Sequence, residues 1–246
     1  MKTLFTFILL FIGLPVFAQQ TEGTIEFQEV MQLKINLPEG IKMDNPMPNT
    51  RTTSKLLYFT PTESIYINGK KEESENDFSS HNASVVINFN EADNKFYKNT
   101  ETNTKVEQQE FFGKIFLIED KLKNFAWKLT GKQKKILDYV CQEATYTTDE
   151  DTVSAWFTPQ IPVSNGPESY GELPGMILEI SKNEGDFLII ATNVLSEVST
   201  EKLVAPSKGK VVTQEKFDKI KEEKTAEMKK MQGGSGNVFI IKEIRN

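Results

Sequence analysis

A segment rich in proline and glycine, residues 155–180, restricts the fold of this chain more than any other stretch. It begins as a strand-like run, passes through a loop and ends in an apolar strand-like run. Proline fixes φ, lacks a backbone N–H and keeps the preceding residue extended, so the loop loses little entropy on folding. The punctuating residues are Pro159, Pro162, Gly166, Pro167, Gly171, Pro174 and Gly175. Leu173-Pro174-Gly175 predicts a type II turn that returns the chain to the sheet.

The loop also carries more large apolar side chains than an isolated surface loop normally exposes. Two interpretations remain open. The loop either packs over one mouth of a sheet as a structural cap, or frames a pocket or partner surface. On the second interpretation, the predicted ligand- or partner-binding residues are Trp156, Phe157, Pro159, Ile161, Pro162, Gly166, Pro167, Tyr170, Leu173, Pro174 and Gly175.

Short strand patterns separated by turn signals predict a mainly β fold, an antiparallel meander without βαβ units. The first strand alternates from Ile25 to Ile35, and Glu29 interrupts its apolar face. Residues 135–147 are predicted to form one long strand. A helix is predicted at residues 213–232, with Thr213 as N-cap and a thin apolar stripe that covers the sheet surface. Residues 237–246 are predicted as a tail or edge strand.

The first 18 residues have the pattern of a secretory signal peptide. Lys2 precedes a short apolar run, and Val16-Phe17-Ala18 forms a small-residue cleavage site. The apolar run is too short to span a bilayer, which needs roughly 20 residues. We therefore expect removal of residues 1–18, a single β-rich domain at residues 19–246 without a transmembrane span, and export to the periplasm or cell envelope.

The composition argues against several chemistries. The net charge of −6 and the lack of a basic patch argue against a nucleic-acid partner. Cys141 is the only cysteine and His81 the only histidine, so no internal disulfide can form, and the usual zinc sites and hydrolase triads are not favoured. The acidic run at residues 149–151 is interpreted as a solvated hairpin tip. We predict no catalytic residue, metal or cofactor.

The central segment resembles the GLPGLI family of exported proteins, which are mostly from Bacteroidetes and include a Porphyromonas group. The motif here is Glu172-Leu173-Pro174-Gly175-Met176-Ile177, preceded by Trp156-Phe157-Thr158-Pro159. Glu172 replaces the family's first glycine, which we interpret as a position without positive φ. The family's activity is unassigned, so the resemblance supplies no catalytic residue. A meander with a covering helix is also similar in outline to periplasmic lipoprotein carriers. The expected fold is therefore a curved, half-barrel-like sheet with one amphipathic C-terminal helix.

The function predicted from these features is a non-enzymatic envelope protein that binds an apolar ligand or a protein partner. The binding region would be the concave side of the sheet or the space beneath the 155–180 segment. Two alternatives remain open. One is a hydrolase-like enzyme that uses carboxylates or Cys141. The other is a structural or interaction partner of an outer-membrane system.

Overall fold

The computed structural model describes residues 20–33, 49–70, 92–149 and 151–232, and the backbone alone at 77–80, 83–86 and 228–232. The predicted signal peptide, His81 and the predicted 237–246 tail lie outside the described residues. The first eight strands are β1 Gly23–Gln32, β2 Thr50–Phe59, β3 Glu63–Asn68, β4 Asp77–Ser80, β5 Ala83–Val86, β6 Lys95–Asn99, β7 Thr104–Phe111 and β8 Lys114–Lys121. The later strands are β9 Lys128–Ile136, β10 Tyr139–Thr147, β11 Thr152–Thr158, β12 Met176–Lys182, β13 Phe187–Leu195 and β14 Lys210–Val212.

Twelve of these strands form one open sheet in the order β14-β8-β7-β6-β3-β2-β1-β13-β12-β11-β10-β9. The sheet consists of two antiparallel meanders, one from β1 to β8 and one from β9 to β13. They are joined where β1 pairs with β13, with Thr24 opposite Leu195. The short β14 adds a parallel strand beside β8, and β4 and β5 form a separate hairpin. The predicted mainly β architecture is confirmed.

The short chain segment between β8 and β9 requires the sheet to be strongly curved. Strands β8 and β9 are ten strand-to-strand steps apart in the sheet order, which is about 48 Å in a flat sheet at ~4.8 Å per step. Only residues 122–127 join them, and an extended connection of that length reaches about 25 Å. The sheet therefore curls until β8 and β9 face each other, as in a half-barrel.

The main hydrophobic core lies on the inner side of this curl. Phe96 on β6 belongs to the same buried cluster as Ile180 on β12 and Cys141 on β10, although these strands are far apart in the sheet order. Strand β12 is buried along residues 176–180, because its two faces pack against the sheet interior and against the 159–175 loop. The core thus depends on the curl and on this loop together.

The helix α1, Gln214–Gln232, lies where it was predicted. The amide of Lys216 donates to the Thr213 hydroxyl oxygen at 3.3 Å, which is the expected N-cap contact. Its apolar stripe packs Phe217 against Phe116 on β8, in a second small core cluster. Within the part of the chain described here, no helix combines the length and apolar character that crossing a bilayer requires.

The prediction of one long strand at residues 135–147 was wrong. Strand β9 ends at Ile136 and β10 begins at Tyr139, with Leu137 at a φ of 51° in the turn between them. The alternating pattern did not reveal the turn, because this two-residue hairpin contains no glycine or asparagine, the residues that normally mark positive φ. Phe125 and Trp127 lie in the connection from β8 to β9.

Candidate functional site

The predicted site residues of the 155–180 segment separate into buried and exposed groups. The side chains of Phe157, Ile161, Tyr170 and Leu173 belong to the main core. Trp156 is half-buried, with the Lys134 ammonium 4.3 Å from its ring centre. Of the remaining predicted residues, Gly166, Pro167 and Gly175 are buried, whereas Pro159, Pro162 and Pro174 are exposed. Most of the predicted contact residues therefore hold the loop against the sheet.

The loop re-enters the sheet through a tighter turn than the predicted type II turn. The Gly175 amide donates to the Leu173 carbonyl at 2.7 Å, which closes a three-residue γ-turn around Pro174. Gly175 has a φ of 148°, and a Cβ placed there would lie 2.1 Å from the Thr158 carbonyl oxygen. Glycine is therefore required both by the backbone conformation and by the close approach of β11.

Glu172 corrects one expectation drawn from the sequence. Its φ is 66°, so this position does adopt the left-handed conformation that suits glycine. The Glu172 carboxylate accepts a hydrogen bond of 2.7 Å from the Phe125 amide. The strained residue thus attaches the loop to the connection between the two meanders.

A buried lysine holds the middle of the loop. Lys98 on β6 is only 3% exposed, and its ammonium donates to the carbonyl oxygens of Gly166 and Tyr170, both at 2.7 Å. Burial lowers the pKa of Lys98 to about 7, although the nearby Glu168 carboxylate opposes this shift. Lys98 therefore fixes the residues on either side of Glu168 and Ser169.

The loop's underside is fitted to β12 and β3. A Cβ at Gly166 would lie 2.8 Å from the Ile177 Cβ, so only glycine allows this approach. The buried Asn165 side-chain oxygen accepts hydrogen bonds from the Ser64 hydroxyl at 3.2 Å and the Gly166 amide at 2.8 Å. These contacts make the loop a rigid wall of the space inside the curled sheet.

That space is a cavity of about 610 Å³. Both meanders, the β8–β9 connection, the loop and the helix contribute to its lining. Six aromatic residues form its apolar part: Tyr66, Phe96, Phe125, Tyr170, Phe187 and Phe217. Because the cavity lies where distant elements meet, its shape depends on the complete fold.

Charged side chains make up much of the remaining lining. Seven lysines face four carboxylates, in a protein whose net charge is −6. The lysines are Lys55, Lys95, Lys105, Lys121, Lys123, Lys182 and Lys221, and the acids are Glu29, Glu107, Asp120 and Glu168. The cavity is therefore locally basic and amphipathic, whereas the predicted concave side was apolar.

Glu29, the residue that interrupts the apolar face of β1, contributes a carboxylate to one wall of the cavity. Glu29 lies on the inward face of β1 and is 3% exposed. Its carboxylate accepts hydrogen bonds from the Tyr66 hydroxyl at 3.0 Å and the Thr53 hydroxyl at 3.3 Å, with the Lys55 ammonium 3.9 Å away. A buried carboxylate in this setting is held by hydrogen bonds and by a counter-charge. It presents a fixed polar group to the cavity.

An aromatic cluster lies at one side of the cavity, where the β8–β9 connection crosses the loop. Phe125 stacks on Trp127 and on Tyr170, with ring centres 5.2 and 5.4 Å apart. Tyr146 meets the edge of Phe125 at 5.6 Å, and the indole N–H of Trp127 donates to the Gly171 carbonyl at 2.9 Å. The Lys123 ammonium lies 5.3 Å from the Phe125 ring centre. The cluster thus joins ring faces to cationic groups.

Cys141 does not have the surroundings of a nucleophile. Its side chain is fully buried, and burial raises the pKa of its thiol to about 11. The reactive form of cysteine is the thiolate, so this thiol is inert near neutral pH. It fills the core as a small apolar side chain.

The fold places the protein among mainly β domains built on one open, strongly curled sheet. A family model described as "Protein of unknown function (Porph_ging)" matches residues 146–179, which include β11, the loop and part of β12. The match supports the expected resemblance to a Porphyromonas-type family of unknown function over that segment. The GLPGLI name is not confirmed. No curated protein sequence matches the chain significantly.

Two solved structures share the fold: those of PNGF-II in space groups P21 and C2. They are 18% and 16% identical in sequence to this chain, with TM-scores of 0.50 and 0.52. The similarity covers 78% and 80% of this chain but 32% of each PNGF-II chain. The chain therefore spans about a third of the length of these proteins, and the likeness shows a common fold alone.

Several residues of the cavity were not singled out from the sequence. Glu29 had a visible signal, because it interrupts an alternating apolar face. Lys55, and Lys98 behind the cavity wall, had none, since a lysine on an alternating strand normally faces solvent. The cavity lysines lie on six separate segments of the chain, and only the curl of the sheet brings them together.

Proposed function

We propose that this protein is a non-enzymatic binding module whose cavity takes up an anionic ligand with a ring or other apolar part. The observation that carries this proposal is the excess of lysines over carboxylates around an aromatic-lined cavity of about 610 Å³. Preformed pockets of this size, with apolar walls and a few placed polar groups, are typical ligand sites.

The charge balance favours an anion. Among the described residues, the ammonium groups of Lys121, Lys123 and Lys221 form no ion pair with a carboxylate within 4.0 Å. Lysines grouped in a concave, partly water-excluded space raise the local concentration of anions. A bound anion would therefore gain charge-assisted hydrogen bonds from lysines that are not committed to an ion pair.

The same lining changes the ligand class expected from the sequence. A purely apolar ligand would leave the ammonium groups and Glu29 in contact with apolar atoms, which costs free energy unless water remains. An amphipathic ligand avoids this cost, because its charged end meets the lysines while its ring packs on Phe125, the most exposed aromatic residue of the lining. The buried Cys141 also removes one of the two catalytic groups that the hydrolase alternative considered.

We propose that binding takes place in the periplasm or cell envelope. The support for this location is the signal-peptide pattern of residues 1–18. Fractionation of cells that express the tagged chain, with immunodetection of a product shortened by about that length, tests the location. Detection of the full-length chain in the cytosol alone would contradict it.

Two fluorescent dyes test the binding proposal. The anionic dye 1-anilinonaphthalene-8-sulfonate and the neutral dye N-phenyl-1-naphthylamine share an aromatic body but differ in charge. We expect the anionic dye to bind more tightly, and the double variant K121Q/K221Q to weaken it by about tenfold, as two ion contacts of ~0.7 kcal/mol each would give.

The exposed Lys208, which does not line the cavity, provides the matched control K208Q, and circular dichroism checks folding. Equal affinity for both dyes, together with K121Q/K221Q behaving like K208Q, would overturn the proposal. Native mass spectrometry of protein purified from its own host gives an independent test. An acidic molecule carried through purification supports the proposal, and a neutral lipid contradicts it.

A further inference from the structure

A second cavity of about 380 Å³ borders the first. The two share four lining residues: Lys123, Phe125, Tyr170 and Lys182. The first two belong to the β8–β9 connection, the third to the loop and the fourth to the end of β12. The two spaces are therefore adjacent; we call the pair a trough and these four shared residues the aromatic divide.

The aromatic divide is built to hold a ring or a large apolar group. Phe125 and Tyr170 stack at 5.4 Å with their planes 29° apart. Lys182 lies 5.9 Å from the Tyr170 ring centre, and Lys123 lies 5.6 Å from that of Tyr146. Tyr170 is 5% exposed, so the accessible ring area belongs to the half-buried Phe125 and Tyr146, and Lys123 lies beside both.

The two ends of the trough carry opposite charge. Beyond the aromatic divide, the charged residues that line the smaller cavity are Asp149 and Asp151, both carboxylates. Asp149 is exposed, and Asp151 accepts a hydrogen bond of 2.7 Å from the Asn183 side-chain amide. Among the residues that line the larger cavity alone, five lysines, Lys121 and Lys221 among them, outnumber four carboxylates. A ligand that spans both cavities therefore meets a lining with an excess of lysines first, rings next and carboxylates last.

We infer that the ligand is an extended peptide segment with an acidic side chain, a ring or large apolar side chain and a basic side chain in that order. This inference rests on the proposed anion binding in the larger cavity. A peptide supplies both signs of charge on one flexible backbone, whereas an acidic saccharide or a fatty acid has no cation for Asp149 and Asp151. Complementary charges at both ends also fix the direction of the bound segment.

Isothermal titration at low salt, with acetylated and amidated peptides, tests the inference. The parent set is Glu-Alaₙ-Phe-Alaₙ-Lys with n of one to three, because the span between the two ends selects the spacing. One control peptide replaces Lys with Gln, and another replaces Glu with Gln. We expect the best parent peptide to bind about tenfold more tightly than either control.

The protein variant D149N tests the acidic end of the trough separately from the basic end. It should remove the advantage that the peptide's lysine gives and leave the affinity for the Lys→Gln peptide unchanged. D151N provides a second variant, checked by thermal unfolding because Asp151 also bonds to Asn183. The exposed Glu201 lies outside both cavities and provides the control variant E201Q.

Two outcomes of these titrations overturn the inference. In the first, the parent and the Lys→Gln peptide bind equally. In the second, D149N and D151N both bind the parent peptide as tightly as the wild type does. Tighter binding of trigalacturonate than of every peptide, unchanged in D149N, assigns the trough to an acidic saccharide and also overturns it. In either case, retained binding of the anionic naphthalene dye shows that the proposed function stands without the peptide.

Discussion

The ammonium of Lys98 donates to the backbone carbonyl of Tyr170 across 2.7 Å, beneath the surface of the protein. Lys98 also donates to the Gly166 carbonyl, so its two acceptor residues lie on either side of Glu168 and Ser169 in the sequence. Glu168 and Ser169 line the larger cavity. The buried Lys98 thus positions the part of the cavity wall that the loop forms, although it does not line the cavity itself. This relationship links the stability of the loop to the shape of the candidate site.

We expect the variant K98M to lower the free energy of unfolding by about 2 kcal/mol at pH 8. Methionine keeps most of the side-chain volume but leaves two buried carbonyl oxygens without their lysine donor, and such groups cost ~1–3 kcal/mol. Urea unfolding followed by tryptophan fluorescence measures the change. The exposed Lys208 gives the control K208M, for which a comparable loss would show that the buried contacts are unimportant.

The stability difference between wild type and K98M should also depend on pH. The folded-state pKa of Lys98 is about 7, below the usual 10.5, so between these values the unfolded chain binds more protons. The free energy of unfolding of the wild type should therefore rise relative to that of K98M from pH 7 to pH 9, by about 1 kcal/mol per pH unit. Urea titrations at pH 7, 8 and 9 measure it. A flat difference would contradict a lowered pKa.

Gly175 is expected to be among the least replaceable residues of the loop. Alanine at this position would combine a φ of 148° with a Cβ that lies 2.1 Å from the Thr158 carbonyl oxygen, so we expect G175A to cost about 3 kcal/mol or more. Gly113 also has a positive φ of 70°, but a Cβ there meets nothing within 4 Å. Thermal unfolding of G113A should show a loss of only about 1 kcal/mol. Equal losses would mean that the close approach is absent.

Two substitutions at Glu172 separate backbone strain from hydrogen bonding. Both E172A and E172G remove the acceptor of the Phe125 amide, but only glycine relieves the φ of 66°. E172G should therefore be more stable than E172A by about 1 kcal/mol. Chemical denaturation of the two variants side by side measures this difference. A more stable E172A would show that the residue is not left-handed in solution.

The thiol of Cys141 should react only after the protein opens. Its side chain is buried, and its pKa is raised to about 11, so the thiolate is scarce near neutral pH. With 5,5′-dithiobis(2-nitrobenzoic acid) at pH 8, we expect no rapid labelling of the native protein and one equivalent in 6 M guanidinium chloride. Rapid native labelling would place this cysteine at an accessible site and return it to the catalytic candidates.

Local sequence patterns predicted much of the sheet, because alternation and turn residues act over a few residues. Thr213 marked the helix start correctly, since capping is also local. The Leu137 turn was missed because its positive φ occurs at a residue that rarely adopts it. The central loop was recognised as rigid and apolar, but its burial of Ile161 and Leu173 depends on contacts with distant strands.

The candidate site was harder to predict than the fold. Lys121 and Lys182 lie 61 positions apart in the sequence and line one cavity only because the sheet curls. Nothing local distinguishes them from solvent-facing lysines. Glu29 was noticed as an irregularity, but its partners Tyr66 and Thr53 come from neighbouring strands whose pairing the sequence does not reveal. The chemistry of the cavity is thus a product of tertiary structure.

The pairing of β1 with β13 joins residues about 170 positions apart. Contacts of such large sequence separation slow folding, because chain entropy is lost before the contact forms. During synthesis, the edge of β1 stays unmatched until residue 195 leaves the ribosome. A chain truncated before β13 would therefore leave the facing edges of β1 and β12 unpaired. Exposed strand edges of this kind promote aggregation.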